Sequence, residues 1–146
     1  MIPNVLHREQ WIPASLPEVF SFFSEVGNLD RITPPWLHFK VLGQTDELKA
    51  GTLVRYKLAW HGIPLSWTTR IEEWCPPARF VDLQLKGPYH LWRHIHTFES
   101  CDGGTLIRDT VHYALPMGAL GDFCAGWLVR PDVERIFDYR AKQIPA

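Results

Sequence analysis

Two neighbouring stretches of alternating sequence place polar side chains where a protein core is expected. Side chains alternate between the two faces of a strand, so in residues 92–98 His94 and His96 share a face with the large apolar residues at the ends. The same alternation turns Asp82 and Gln84 inward on the preceding strand. Buried imidazole, carboxylate and amide groups are unfavourable unless they pair with one another, a ligand, water or a metal ion. The pattern therefore predicts a cavity with polar groups in its lining.

The turns beside this strand predict which residues meet across the sheet. Residues 102–103, Asp-Gly, are typical of a two-residue hairpin turn, which would place His96 opposite Asp109. A turn centred near residue 89 would place Asp82 opposite His96 on the other side. Facing residues approach within about 4.5–5.5 Å, which is close enough for charge-assisted hydrogen bonds. We therefore expect a row of Asp82, His96 and Asp109 across three neighbouring strands.

The residues of this row are compatible with four kinds of chemistry. They could form a satisfied buried network that sets strand register, or they could orient the polar end of a ligand. General acid–base catalysis is a third interpretation, with His96 as the catalytic group and Asp82 or Asp109 as its partner. In the fourth, His94 and His96 with a carboxylate imitate the two-histidine, one-carboxylate set that binds non-haem iron. His-x-His alone is a weak metal signal, and we expect neither a metal ion nor a cofactor.

Aromatic residues with a polar edge recur on the predicted inward faces of other strands. Either they line a pocket or they are part of an ordinary mixed core. The candidate pocket aromatics are Tyr56, Trp67, Trp92 and Tyr113.

Two residues outside the sheet bear on the same site. Arg140 could neutralise a ligand acid or an interior carboxylate, but a cation near the end of the last helix is predicted to lie at the surface, where the helix dipole favours it. Trp36, after a double proline, is expected either at the rim of the pocket or as an anchor for its loop. We expect the other five histidines to be surface or strand residues without a partner.

Composition excludes several classes of function. The chain has 146 residues, enough for one domain spanning residues 1–146, and a formal net charge of −1 with scattered basic residues, which argues against a nucleic-acid surface. No apolar run reaches the roughly 18 residues of a membrane span, and no signal peptide pattern is evident. Three cysteines without C-x-x-C spacing favour a reducing compartment, the cytoplasm.

The hydrophobic period changes twice along the chain and predicts the order of its elements. A first strand at 5–12 precedes a helix that Ser15 can cap and that runs to Val26, then a short helix at 29–32. The helical period returns after Pro116 with Leu120, Phe123 and Trp127, and Pro131 predicts a kink or two abutting helices. Between them, period-two stretches separated by turn residues predict six strands, at 37–45, 52–61, 64–74, 79–86, 90–99 and 105–114.

This order and several local motifs resemble the START-like superfamily, also called SRPBCC, and within it a bacterial ligand-binding branch related to polyketide cyclases and dehydrases. The resemblance spans nearly the whole chain. The motifs that carry it are Leu29 to Trp36, Phe80-x-Asp82-x-Gln84, Gly87-Pro88-Tyr89, Trp92-x-His94-x-His96-x-Phe98, Asp109-x-Val111-x-Tyr113-x-Leu115-Pro116 and Phe137-x-Tyr139-Arg140.

The resemblance implies an α+β helix-grip fold, in which a seven-stranded curved antiparallel sheet wraps around a long C-terminal helix, with two short helices between strands 1 and 2. It implies binding of a small hydrophobic or amphipathic molecule with a polar end. An acid–base enzyme of the cyclase or dehydratase kind remains an alternative. A non-catalytic interaction domain is another, because some relatives are fused to epimerase-like oxidoreductases. The expected ligand-binding residues are Tyr56, Trp67, Asp82, Gln84, Trp92, His94, His96, Asp109 and Tyr113.

Overall fold

The computed structural model describes residues 4–44, 47–116 and 118–143, and within them the side chains of all but residues 30 and 118–129. Seven strands form one antiparallel sheet: β1 (Asn4–Ile12), β2 (Lys40–Gln44), β3 (Leu53–Trp60), β4 (Ile63–Cys75), β5 (Arg79–Lys86), β6 (Leu91–Cys101) and β7 (Gly104–Ala114). Their spatial order is β1-β7-β6-β5-β4-β3-β2. Register shifts in β2 and β4 mark β-bulges, which bend a strand and help the sheet to curve.

Two hairpin turns have the residue types that their backbone requires. Asp102 and Gly103 have φ values of 49° and 77°, and His61 and Gly62 have 48° and 82°. Two successive residues with positive φ are the mark of the tight turn whose twist matches that of antiparallel strands. The predicted Asp-Gly turn is therefore confirmed.

The helices follow the predicted order with two corrections. Helix α1 (Leu16–Ser24) begins at the predicted cap, where the Ser15 hydroxyl accepts from the Glu18 amide, but it ends before Val26, and a 3-10 turn follows. Helix α2 (Leu29–Ile32) is as short as expected. Helix α3 (Gly118–Gln143) is one helix that contains Pro131, so of the two predicted alternatives, a kink and two abutting helices, the second is wrong.

Packing of the helices on the concave face of the sheet creates two apolar clusters. Phe20 and Phe23 of α1 pack against Phe80, Phe98 and neighbouring residues of the sheet. The second cluster joins α3 to β1 and β7, and its buried members are Leu6, Val111, Tyr113, Leu115, Val133 and Phe137. The predicted inward side chains of α3 at residues 120, 123 and 127 lie outside the described residues. The helix-grip fold with its curved seven-stranded sheet is confirmed.

Several ion pairs join neighbouring strands on the convex face of the sheet. Arg108 bridges Glu9 and Glu99, and Arg93 pairs with Glu72. These pairs are partly exposed, so each contributes little stability, at most about 1 kcal/mol. Their arrangement shows that Arg93 points outward, as the alternation predicts.

Further polar contacts join other parts of the fold. The prediction that the remaining histidines have no partner is wrong for His7, which contacts the Thr110 hydroxyl, and for His61, which contacts the Asp132 carboxylate. Trp36 packs its ring against Tyr139 and the Arg135 guanidinium, which anchors its loop to α3. In the part of the chain that the structure describes, no helix has the length and apolar character needed to span a membrane.

Candidate functional site

The register between strands brings the predicted polar residues together, with one correction. His96 lies opposite Asp109, as the Asp-Gly turn predicts. On the other side, however, Asp82 lies opposite His94 and not His96. The connection between β5 and β6 is centred one residue earlier than predicted, and this moves the pairing by two residues. A two-residue shift preserves which face each side chain occupies, so Asp82 still points inward.

The polar side chains form two crossed hydrogen bonds between neighbouring strands. His96 Nε2 lies 2.7 Å from Asp82 Oδ2, and His94 Nε2 lies 2.8 Å from Asp109 Oδ1. The two imidazole rings stack with their centroids 3.6 Å apart. His96 Nδ1 also faces Asp109 Oδ1 at 3.4 Å, which is an ionic contact and longer than a good hydrogen bond.

A fifth member of this group comes from α3. Arg140 is 9% exposed, and its Nη2 donates to Asp109 Oδ1 at 3.2 Å. Its guanidinium lies 5.3 Å from the centre of the Phe23 ring and 5.6 Å from that of Phe137, so aromatic faces flank the charge. The prediction that Arg140 lies at the surface is wrong, and the alternative, a partner for an interior carboxylate, is what the structure contains. We call Asp82, His94, His96, Asp109 and Arg140 the polar cluster.

Burial and mutual charge give the two histidines opposite protonation states. Burial and the neighbouring charge of His96 lower the pKa of His94 to about 4, so His94 is neutral at pH 7. Burial also opposes the charged form of His96, but its hydrogen bond to Asp82 and the negative charges of Asp82 and Asp109 outweigh burial and raise its pKa. Because its two nitrogens face two carboxylates, His96 is the member of the pair that holds the extra proton.

The two carboxyl groups stay ionised despite their burial. Burial alone would raise the pKa of each carboxyl group. His96 outweighs burial at Asp82 and lowers its pKa, and Arg140 together with both histidines holds the pKa of Asp109 well below its usual range. With His96 protonated, two carboxylates face an imidazolium and a guanidinium, so the formal charges of the polar cluster sum to zero. A balanced set of charges is the form in which an interior tolerates them best.

A cavity of about 520 Å³ lies between the sheet and α3, with the polar cluster in one of its walls. Six of the nine side chains predicted to bind a ligand line this cavity. They are Tyr56, Trp67, Asp82, Trp92, His94 and His96.

Three predicted residues lie outside the lining. Gln84 is occupied by the backbone of Tyr89, donating to its carbonyl oxygen at 2.7 Å and accepting from its amide at 3.1 Å. Asp109 contacts the histidines from behind the cavity wall. Tyr113 is 5% exposed and belongs to the apolar cluster against α3.

The cavity also has lining residues that sequence reasoning did not select. Trp60 shares a face of β3 with Tyr56, so strand alternation was a signal that could have identified it. Its indole donates to Asp132 Oδ2 at 2.8 Å, and His61 reaches the same oxygen at 2.7 Å, so the β3–β4 turn is tied to α3. The lining also includes Tyr89, in the β5–β6 loop, and Ile136 and Arg140, in α3. Alternation along a strand cannot predict the orientation of residues in a loop or a helix.

Three members of the polar cluster could hold a metal ion. Ligand atoms of Asp82, His94 and His96 lie within 4.8 Å of one another. A metal ion binds in the plane of an imidazole ring, about 2.0–2.1 Å from the nitrogen, whereas these rings stack face to face. Both rings could reach one ion only if one of them turned and His96 released Asp82. The stacked rings and the hydrogen bonds to Asp82 and Asp109 therefore favour a hydrogen-bonded cluster over a metal site.

Comparison with known proteins places the chain among helix-grip proteins. Residues 12–137 match the model of a family described as "Polyketide cyclase / dehydrase and lipid transport". No curated protein matches the chain significantly.

Solved structures of the same fold cover almost the whole chain. A protein of Mycobacterium smegmatis is 18% identical, with a TM-score of 0.72 over 97% of this chain and 88% of that chain. A protein of Chromobacterium violaceum is 14% identical, with a TM-score of 0.76 over 98% of this chain and 96% of that one. A nucleoside-diphosphate sugar epimerase of Corynebacterium glutamicum is 26% identical, with a TM-score of 0.71 over 96% of this chain but only 28% of that protein.

Proposed function

The chain belongs to the polyketide cyclase/dehydrase and lipid transport family, and on that premise we propose that it binds a small, largely hydrophobic molecule with one polar end. The cavity beside the polar cluster is the observation that carries this proposal. Its volume of about 520 Å³ lies within the usual range for small-molecule sites. The apolar walls supply non-directional affinity of roughly 25 cal/mol per Å² of apolar surface buried, and the polar cluster supplies orientation.

Native mass spectrometry of the purified protein tests the proposal directly. We expect the native mass to exceed the denatured mass by the mass of a small organic molecule, because an apolar cavity of this size retains ligands from the cell. Equal masses, together with no rise in melting temperature across a panel of hydrophobic compounds, would contradict a binding function. An increment equal to a transition metal would instead favour a metal site at Asp82, His94 and His96.

An enzyme of the cyclase or dehydratase kind is the second candidate function. The observation in its favour is the His96–Asp82 pair in the cavity wall, where a protonated imidazole could transfer a proton to a bound carbonyl compound. Such a reaction needs no further group than a general acid and base. His96 would be the catalytic residue, and Asp82 and Asp109 would set its protonation.

His96→Gln separates binding from catalysis. In a binding protein the variant is expected to fold and to bind with altered selectivity, whereas in an enzyme it abolishes turnover while binding survives. Its free energy of unfolding should fall by about 1–3 kcal/mol, because buried partners lose a hydrogen bond. His112→Gln, on the opposite face of β7, is the matched control and should change none of these properties.

A non-catalytic interaction domain, the third interpretation, predicts a filled interior. The cavity argues against a filled interior and therefore against an interaction domain. The Corynebacterium epimerase, which contains a region similar to this chain within a much longer protein, is the observation in favour of one. For location we propose the cytoplasm, since Cys75 and Cys101 are free thiols.

A further inference from the structure

We infer that the ligand end that meets the polar cluster donates a hydrogen bond, as the hydroxyl of a phenol or alcohol does, and that Asp82 receives it. This inference rests on the proposed function and adds the chemistry of the end group. It excludes a ligand carboxylate at this position.

Asp82 is the carboxylate through which the polar cluster meets the cavity. Its side chain is 18% exposed and lines the cavity, whereas the side chain of Asp109 is 9% exposed and does not. His96 occupies one of its oxygens, Oδ2. A carboxylate has about four lone-pair positions, so acceptor capacity remains for a ligand. The neighbouring charges of the polar cluster lower its pKa and keep it ionised.

The two cations of the polar cluster are already directed at carboxylates. His96 faces Asp82 with Nε2 and Asp109 with Nδ1. Arg140 donates to Asp109 through Nη2, whereas its Nε and the Nδ1 of His96 are buried without a hydrogen-bond partner among the residues that the structure describes. Although both side chains line the cavity, each positive charge is therefore balanced by a carboxylate in contact with it. A ligand anion would add an uncompensated charge beside Asp82.

The neutral members of this wall present acceptors as well. His94 donates its one N–H, on Nε2, to Asp109, and so its Nδ1 is a lone-pair acceptor. Tyr56 also lines the cavity, and its hydroxyl can accept a hydrogen bond as well as donate one.

Apart from these two cations, the lining contains uncharged donors. They are the indole N–H groups of Trp67 and Trp92 and the hydroxyl of Tyr89, which pack together with ring centroids 4.8–5.7 Å apart. A ligand carbonyl could meet this group of aromatic residues. At Asp82 itself, a ligand donor gains a charge-assisted hydrogen bond, whereas a ligand acceptor faces the lone pairs of the carboxylate.

Isothermal titration of the wild-type protein near neutral pH, with naphthalenes that carry a hydroxyl, methyl or carboxylate group at the same ring position, tests the inference. Hydroxyl and methyl have nearly the same size, so this pair isolates the donated hydrogen bond. We expect naphthol to bind at least about ten-fold more tightly than methylnaphthalene. We expect naphthoate to bind most weakly, because its charge faces Asp82.

Asp82→Asn should reduce the preference for naphthol over methylnaphthalene and improve the binding of naphthoate, because the charge at this position is gone. Asp138→Asn, a surface carboxylate of α3, should leave all three affinities unchanged. The wild-type comparison decides the question even if Asp82→Asn fails to fold.

Each other result overturns the inference in a distinguishable way. Tightest binding of naphthoate would identify Arg140 as an anchor for anions. Equal affinity for all three compounds would refute donor selection but leave the binding function intact. No binding of any of them, in a protein that also carries no ligand in native mass spectra, would overturn the proposed function and this inference with it.

Discussion

Asp109→Asn is expected to lower the free energy of unfolding by about 3–5 kcal/mol, because it leaves a buried guanidinium without its carboxylate. Asp109 accepts from both His94 and Arg140 and is 7% exposed. Asparagine keeps the shape of the side chain but removes the charge that balances Arg140. Urea denaturation at neutral pH measures the loss, provided that the slope of the transition is unchanged.

Asp138→Asn is the matched control for this prediction. Asp138 also accepts from an arginine, Arg8, at 2.8 Å, but its side chain is 55% exposed. We expect its replacement to lower stability by less than about 1 kcal/mol. If both variants lost the same small amount of unfolding free energy, burial of the polar cluster would not increase the contribution of Asp109 to stability.

A second variant distinguishes two causes of the lost stability, an unpaired Arg140 charge and lost hydrogen bonds. Arg140→Met in the Asp109→Asn background removes the uncompensated cation and should recover part of the stability. If the double variant were less stable than Asp109→Asn, the main effect would lie in lost packing of Arg140 between Phe23 and Phe137.

Acid is expected to destabilise the protein well above the pH at which carboxylates titrate. In the unfolded chain His94 takes up a proton near its ordinary pKa of 6.5, but in the folded protein only near 4. Between these values the unfolded state holds one more proton, so stability falls as pH falls, by about 1 kcal/mol per pH unit. Urea denaturation at a series of pH values from 6.5 down to 4 measures this slope.

His96 affects stability at higher pH than His94 does. Its folded pKa is raised, so its contribution to stability is complete below the unfolded pKa and is lost as pH rises through the folded value. Well below the unfolded pKa both states hold its proton, and there it adds nothing to the acid slope.

His94→Gln isolates the contribution of His94 to the acid slope. Glutamine can still donate to Asp109 but does not titrate, so the difference in stability between wild type and variant should shrink as pH falls from 6.5 to 4. His112→Gln should follow the wild type throughout. An acid slope that is the same in His94→Gln and in the wild type would show that His94 accepts a proton as readily in the folded state as in the unfolded state.

Local rules of the sequence were sufficient for much of the fold. Alternation along β5 and β6 assigned Asp82, His94 and His96 to the concave face, because neighbouring side chains on a strand must point in opposite directions. The Asp102-Gly103 turn determined the pairing of His96 with Asp109, because a two-residue turn leaves one possible register. Both features depend on a few adjacent residues, and so both could be read without the tertiary structure.

Other features of the site depend on contacts between distant residues. The offset between β5 and β6 follows from a loop that Gln84 holds through the Tyr89 backbone, and no turn motif encodes it. Arg140 meets Asp109 only because α3 docks on the sheet with that side inward. The protonation of His94 and His96 is a balance between burial and charge, and its sign requires the distances in the folded protein. The sequence by itself thus determined which polar groups face the interior, whereas the tertiary structure decided how they pair, which of them reach the cavity and which histidine carries the charge.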